Sequence, residues 1–183
     1  MPEQNKILTE IRSLLAKSPE ELKHAKKTLK WLLLIKPDAS LTFKIAALGH
    51  DIERAITPWK NNDLSLSDEE KKKFREKHAK RSADIIKELL IKNKVLEDDI
   101  SKVYNLILNH EWGGGKEEDM LRDADSLANF EWCDEYFERE GLENISQIIK
   151  RMYLRMAENN RHLISQIKFR HREINEIVNT LDV

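Results

Sequence analysis

The sequence predicts an all-α protein, and three features carry that prediction. Glycine and proline, which interrupt helices, number only 5 and 4 in 183 residues. Leu, Ile, Lys and Glu are abundant, a composition that suits helical domains. Apolar residues recur at the three- and four-residue spacing of a helix face. A chain of 183 residues can bury a substantial core. No internal repeat, linker or low-complexity stretch divides it, so residues 1–183 read as one domain.

Residues 3–17 form a first amphipathic helix, with Ile7, Ile11, Leu14 and Leu15 on one side. Ser18-Pro19-Glu20-Glu21 is a capping start signal for a second helix from about Pro19 to Ile35, which Lys36-Pro37-Asp38-Ala39-Ser40 breaks. Ser40 caps a third helix that carries His50-Asp51 and stops before Pro58. Its run Leu41 to Glu53 is apolar on nearly every side, which places it inside the protein. Pro58 to Ser67 is polar and irregular, a loop or lid. Ser67-Asp68-Glu69-Glu70 opens a long helix to about Lys92, and another spans about Glu97 to Glu111. Trp112-Gly113-Gly114-Gly115, the only glycine cluster, is a helix stop, with a substrate-facing backbone loop as the alternative. A helix from about Glu117 to Glu140 ends at Gly141. The C-terminal segment, about 144–182, is one long helix or two joined near Asn159-Asn160.

Composition excludes several function classes. Charged residues make up 36% of the chain, yet the net charge is −1, which argues against a nucleic-acid or membrane-surface binder. No apolar run reaches the roughly 18 residues of a membrane span, and no signal-peptide apolar core follows the N-terminus. The single cysteine, Cys133, excludes an intramolecular disulfide and fits a reducing cytoplasm. Beside Trp132 and with no base pattern near it, Cys133 is given no nucleophilic role. Lys71-Lys72-Lys73 reads as a solvated helix face. Lys168-Phe169-Arg170-His171-Arg172, balanced by Glu173 and Glu176, reads as surface or as a homodimer contact through the C-terminal helices.

Several polar residues interrupt apolar faces. Each residue advances a helix by about 100°. Leu121, Ala124, Ala128, Trp132 and Tyr136 therefore form one stripe with Asp125 in its middle, while Asp123 falls on nearly the opposite face, toward solvent or a supporting position. His110 continues the stripe of Ile100, Val103 and Ile107. His78 lies with Phe74, Ser82, Ile85 and Leu89, His24 with Thr28, Trp31 and Ile35, and His50 with Phe43, Ala46 and Ala47. His162 and His171 lie among charged and polar residues. One histidine on an apolar face is ordinarily a core residue bonded to a carbonyl. Four on four helices, with two inward aspartates, form a ligand set. Imidazole and carboxylate suit Mn, Fe, Co, Ni and Zn, and the lack of cysteine ligands argues against structural zinc.

The order His24, His50-Asp51, His78, His110, Asp125 resembles the HD-domain superfamily of metal-dependent phosphohydrolases. Ala46-Ala47-Leu48-Gly49-His50-Asp51, Ile107-Leu108-Asn109-His110-Glu111 and Leu121-Arg122-Asp123-Ala124-Asp125-Ser126-Leu127 carry the likeness, which covers roughly residues 20–130. The resemblance implies an HD-domain-like helical bundle with a long C-terminal helical extension that has no counterpart. It implies one metal on His24, His50, Asp51 and Asp125, and a second on His78 and His110 with Asp51 bridging. It further implies cleavage of a phosphate ester of a nucleotide or other small phosphorylated metabolite. Cations near these positions are Arg54, Lys77, Arg81, Lys116 and Arg122, of which Arg54 and Arg81 share faces with ligands. Glu53 is a candidate general acid or base, although its spacing differs from that of the acidic residue in some nucleotidases of the superfamily. Trp59 and Trp112 flank loops near the ligands, as core or rim packing or as stacking surfaces for a base. Two other readings stay open. One is a mixed-valence di-iron oxygenase, and the other a non-catalytic module that binds metal or nucleotide.

Overall fold

The structure, a computed structural model, describes residues 2–57 and 67–181. It is all-α, with no strand among the described residues. The helices are α1 (Pro2–Leu15), α2 (Pro19–Ile35), α3 (Leu41–Gly49), α4 (Ile52–Ile56), α5 (Asp68–Lys92), α6 (Glu97–Asn109), α7 (Lys116–Phe130), α8 (Cys133–Arg155), α9 (Glu158–Arg161) and α10 (Arg172–Asn179). A 3-10 turn (His162–Gln166) follows α9. The expected loop or lid at Pro58–Ser67 lies outside the described residues except for Ser67, as does Trp59.

Local chemistry accounts for most boundaries. The Ser40 hydroxyl accepts from the Phe43 amide, and Ser67 and Glu70 cap each other's backbone amides in a full capping box. α2 begins after Ser18 as expected, but with Pro19 setting the first turn and no bond from the serine side chain. α6 also lacks a side-chain cap; Glu97, Asp98 and Asp99 face its positive end instead. The glycine stop is backbone-driven. Gly113 and Gly114 have φ of 73° and 123°, and a Cβ on Gly113 would meet Asp119 and Arg122.

Three expected helices are divided. The segment carrying His50-Asp51 ends α3 at Gly49 and resumes as α4 at Ile52, so the pair occupies a corner rather than a helix interior. The segment expected to run from 117 to 140 breaks at Glu131-Trp132, between α7 and α8. The Glu131 carboxylate accepts from Trp31 Nε1 and Lys30 Nζ, both at 2.8 Å, which ties that corner to α2. Beyond Gly141, where φ is 80° and ψ 175°, the C-terminal segment is not one or two long helices. It is the second half of α8, then α9, the 3-10 turn and α10. No helix among the described residues is long and apolar enough to cross a membrane.

α3 is the hub. It inserts between α2 and α6, while α2 runs along α7 and α5 along α6. Phe43, Ile45, Leu48 and Ile52 are buried against Trp31, Leu32, Ile86, Leu106 and Phe130 in a continuous core. Gly49 allows the close approach of α5, because a Cβ there would sit 2.7 Å from Ile86 Cδ1. α8 and the 3-10 turn close the far side of α7, and α10 packs on α8.

Candidate metal centre

Five elements deliver the six predicted ligands to one buried cluster. His24 comes from the first half of α2, His50 and Asp51 from the corner between α3 and α4, His78 from α5, His110 from the end of α6 and Asp125 from α7. All six are buried. Two triads stand out, His24/His50/Asp125 and Asp51/His78/His110, each with one ligand atom per residue and those atoms within 4.8 Å of one another. In the first, His24 Nε2 lies 3.0 Å from Asp125 Oδ1 and 3.2 Å from His50 Nε2. In the second, Asp51 Oδ1 lies 2.6 Å from His78 Nε2 and 3.6 Å from His110 Nε2. The other carboxylate oxygen of Asp51 faces the first triad, 3.8 Å from both His24 Nε2 and His50 Nε2. One carboxylate thus presents an oxygen to each triad.

Supporting contacts fix the ligand orientations. His50 Nδ1 donates to the Ala47 carbonyl at 3.0 Å, and His110 Nδ1 donates to the Ile107 carbonyl at 2.7 Å. A carbonyl only accepts, so both rings hold their Nδ1 proton and, when neutral, turn an Nε2 lone pair toward the cluster. His78 Nδ1 bonds Glu53 Oε2 at 2.7 Å. Asn129 Nδ2 donates to Asp125 Oδ1 at 2.9 Å, and Arg155 Nη2 to Asp125 Oδ2 at 3.0 Å. Lone pairs converging in a buried space, with His50, His78, His110 and Asp125 braced from behind, match the donor chemistry of a divalent transition metal.

The charge states follow from the surroundings. Burial pushes the Asp51 carboxyl up, but Arg54 and the His50 and His78 imidazoles outweigh it and hold the group well below the usual carboxylate range. Burial likewise opposes ionisation of Asp125, and hydrogen bonds from His24 and His50, with the Arg155 charge, hold it well below that range too. Burial disfavours the His78 imidazolium, yet the Asp51 charge and the bonds to Asp51 and Glu53 raise its pKa to about 9. The carboxylates on either side of His78 thus favour its charged form.

The remaining predicted residues divide. Arg54 reaches the cluster, its Nε 3.4 Å from Asp51 Oδ2 with the side chain 39% exposed. Arg81 Nε donates to Glu53 Oε1 at 2.8 Å, with the side chain 41% exposed. Glu53 is 1% exposed, and its oxygens are engaged by His78, Arg81 and Thr57. It orients His78 and is not positioned as a free acid or base. Arg122 is turned away, bridging Asp119, Asp123 and the Trp112 carbonyl. Lys77 and Lys116 are exposed and make none of the bonds that organise the cluster. Trp112 is at the rim, 42% exposed with the Arg75 guanidinium over its ring.

Asp123 corrects an expectation. It is not on a solvent face but fully buried, accepting from the Ala157 amide and from Asn160 Nδ2 at 2.8 Å and pairing with Arg122. Asp123 does lie opposite Asp125, but that side of α7 is not open to solvent because α8 and α9 cover it. Arg155 and Glu111 are the site residues that sequence reasoning missed. Arg155 pairs with Asp125 and Glu111 from a segment that had no assigned counterpart. The one available signal was an arginine ending a half-apolar helix. Cys133 is buried, with its thiol pushed up by burial and neighbouring carboxylates, in keeping with an inert role.

Fold and site together define an all-α protein with a buried histidine–carboxylate cluster of metal-ligating character. Residues 3–178 match the family described as a domain of unknown function, DUF4202, and the chain belongs to that family. Neither the curated proteins nor the solved structures contain a match to it.

Proposed function

We propose that this protein is a metal-dependent phosphohydrolase of the HD-domain type, acting in the cytoplasm on a nucleotide or other small phosphorylated metabolite. The observation that supports this reading best is Asp51, which offers one oxygen to each of two buried ligand triads. His24, His50, Asp51 and Asp125 would hold one ion, and His78, His110 and Asp51 a second. Divalent ions so held supply a water activated at neutral pH and positive charge for phosphate oxygens. The chain's own residues do the rest. Glu53 and Asn129 hold His78 and Asp125 in their ligating orientations. Arg54 and Arg81 are anchored through Nε, which leaves the outer ends of their guanidiniums to bind and orient a phosphate at the mouth. Burial of the cluster keeps bulk water from competing.

The test is metal analysis of the purified protein followed by a phosphate-release screen over nucleotides and sugar phosphates with Mn, Co, Ni, Fe or Zn added. Expected are bound metal, metal-dependent release, and loss of both in Asp51→Ala. Full activity in metal-free Asp51→Ala protein would overturn the proposal. Stable di-iron with oxygen consumption and no phosphate release would transfer the assignment to an oxygenase. Nucleotide binding by loaded protein without turnover would reduce it to a binding module.

A further inference from the structure

The two triads differ in the charges set against them. On the first, each carboxylate meets a guanidinium. Arg155 Nη2 lies 3.0 Å from Asp125 Oδ2. Arg54 Nε lies 3.4 Å from Asp51 Oδ2, the Asp51 oxygen that faces His24 and His50. On the second, each histidine meets a further carboxylate. Glu53 Oε2 lies 2.7 Å from His78 Nδ1, behind the ring. Glu111 Oε1 lies 3.8 Å from His110 Nε2, the nitrogen turned toward the cluster, since His110 Nδ1 is spent on the Ile107 carbonyl. Asp51 Oδ1 stands 3.6 Å from that same nitrogen. With His110 neutral, an imidazole lone pair and two carboxylate oxygens confront one another there, an arrangement that a cation relieves. The opposing charges on the second triad are a layer further out. Arg81 holds the Glu53 oxygen turned away from His78, with its own side chain 41% exposed, and Arg155 is 3.7 Å from Glu111 Oε2, farther than from Asp125. Coulomb energy falls with distance and with access to water, so the nearer charge decides. The nearer charges are positive on the first triad and negative on the second. The first triad gains a second carboxylate donor through Asp51, but a guanidinium matches each of its two carboxylates.

We propose that Asp51, His78 and His110 form the tighter cation site, and that His24, His50 and Asp125, with the other oxygen of Asp51, fill only at higher free metal. Arg54 and Arg155 weaken the first triad's hold on a cation, while Glu53 and Glu111 strengthen the second's. At limiting metal the chain holds a single ion on the second triad, so that completion of the pair is gated by metal supply. This rests on the metal-binding part of the proposed function and not on hydrolysis.

The experiment titrates manganese by calorimetry into the full chain stripped of metal by a chelator, with bound metal measured by elemental analysis alongside. The proteins are the wild type, His24→Ala, His110→Ala and Arg54→Gln. The wild type is expected to bind in two steps whose affinities differ by at least about tenfold. His24→Ala keeps the tight step to within about threefold and loses the weak one, whereas His110→Ala loses the tight step, the scale expected for removal of a direct ligand exceeding the roughly 10–100-fold of an outer partner. Arg54→Gln strengthens the weak step several-fold. Its side chain is 39% exposed, so this variant reads the order where an alanine variant folds poorly. Two equal steps in the wild type, a tight step that survives in His110→Ala and not in His24→Ala, or an unchanged weak step in Arg54→Gln would overturn the order. A wild type that binds no manganese would overturn the order and the metal reading together. Ordered binding without phosphate release from any substrate leaves the order standing and the hydrolase reading fallen.

Discussion

Asp123 and Asp125 are two residues apart on α7 and both buried, yet their carboxylates serve different purposes. Asp125 faces His24, His50, Asn129 and Arg155, and Asp123 faces Ala157, Asn160 and Arg122. Asp125→Ala is expected to strip metal from the purified protein. Asp123→Ala is expected to leave metal content near the wild-type level while lowering stability by about 3 kcal/mol, since it strands a buried amide, an asparagine and an arginine. Elemental analysis and thermal melting of the two variants separate these effects, and equal metal loss would show that the ligand assignment is wrong. The six residues that meet in the buried cluster could be read from the sequence because each interrupts an apolar stripe. The partners of Asp123 and Asp125 could not, because Asn160 and Arg155 lie 37 and 30 residues away and no local pattern marks such pairs.

At the scale of helices, starts were easier to read than interruptions. Ser40, Ser67 and Pro19 announce α3, α5 and α2 through short-range chemistry. The break at Glu131-Trp132 has no proline or glycine; it arises from tertiary contacts, with Glu131 held by Lys27, Lys30 and Trp31 of α2 and with Lys23 and Lys27 over the Trp132 ring. Burial raises the pKa of Glu131, but hydrogen bonds from Lys30 and Lys27 outweigh it and lower the group below its ordinary value of 4.5. A depressed carboxylate contributes stability above the unfolded-state pKa and loses that contribution as pH falls through its folded value. Glu131→Gln is therefore expected to cost about 1 kcal/mol in urea denaturation at neutral pH, with the difference from wild type shrinking below pH 4.5. A cost that is constant from neutral pH to about pH 3 would show that the contact works by shape rather than by charge.

The ligands come from five elements spread between residues 24 and 125, so an ion held there binds the folded chain alone. Such linkage contributes about 4 kcal/mol when free metal exceeds its dissociation constant a thousandfold. For a chain of this size that corresponds to roughly 8–16 °C in melting temperature. Chelation is expected to lower the melting temperature of the wild type by that amount and to leave Asp51→Ala unmoved. An equal shift in both would mean that the metal stabilises the protein from elsewhere.

The contact between Arg155 and Asp125 also has a consequence in time. Chains are made from the N-terminus at about 5–20 residues per second, and the two residues are 30 apart. All six ligands are therefore synthesised roughly 1.5 to 6 seconds before the arginine that neutralises one of them. A chain cut short before Arg155 would keep all six cluster residues but lack the guanidinium that faces Asp125. Its cluster would be more negative than that of the full chain by the one charge that Arg155 sets beside Asp125.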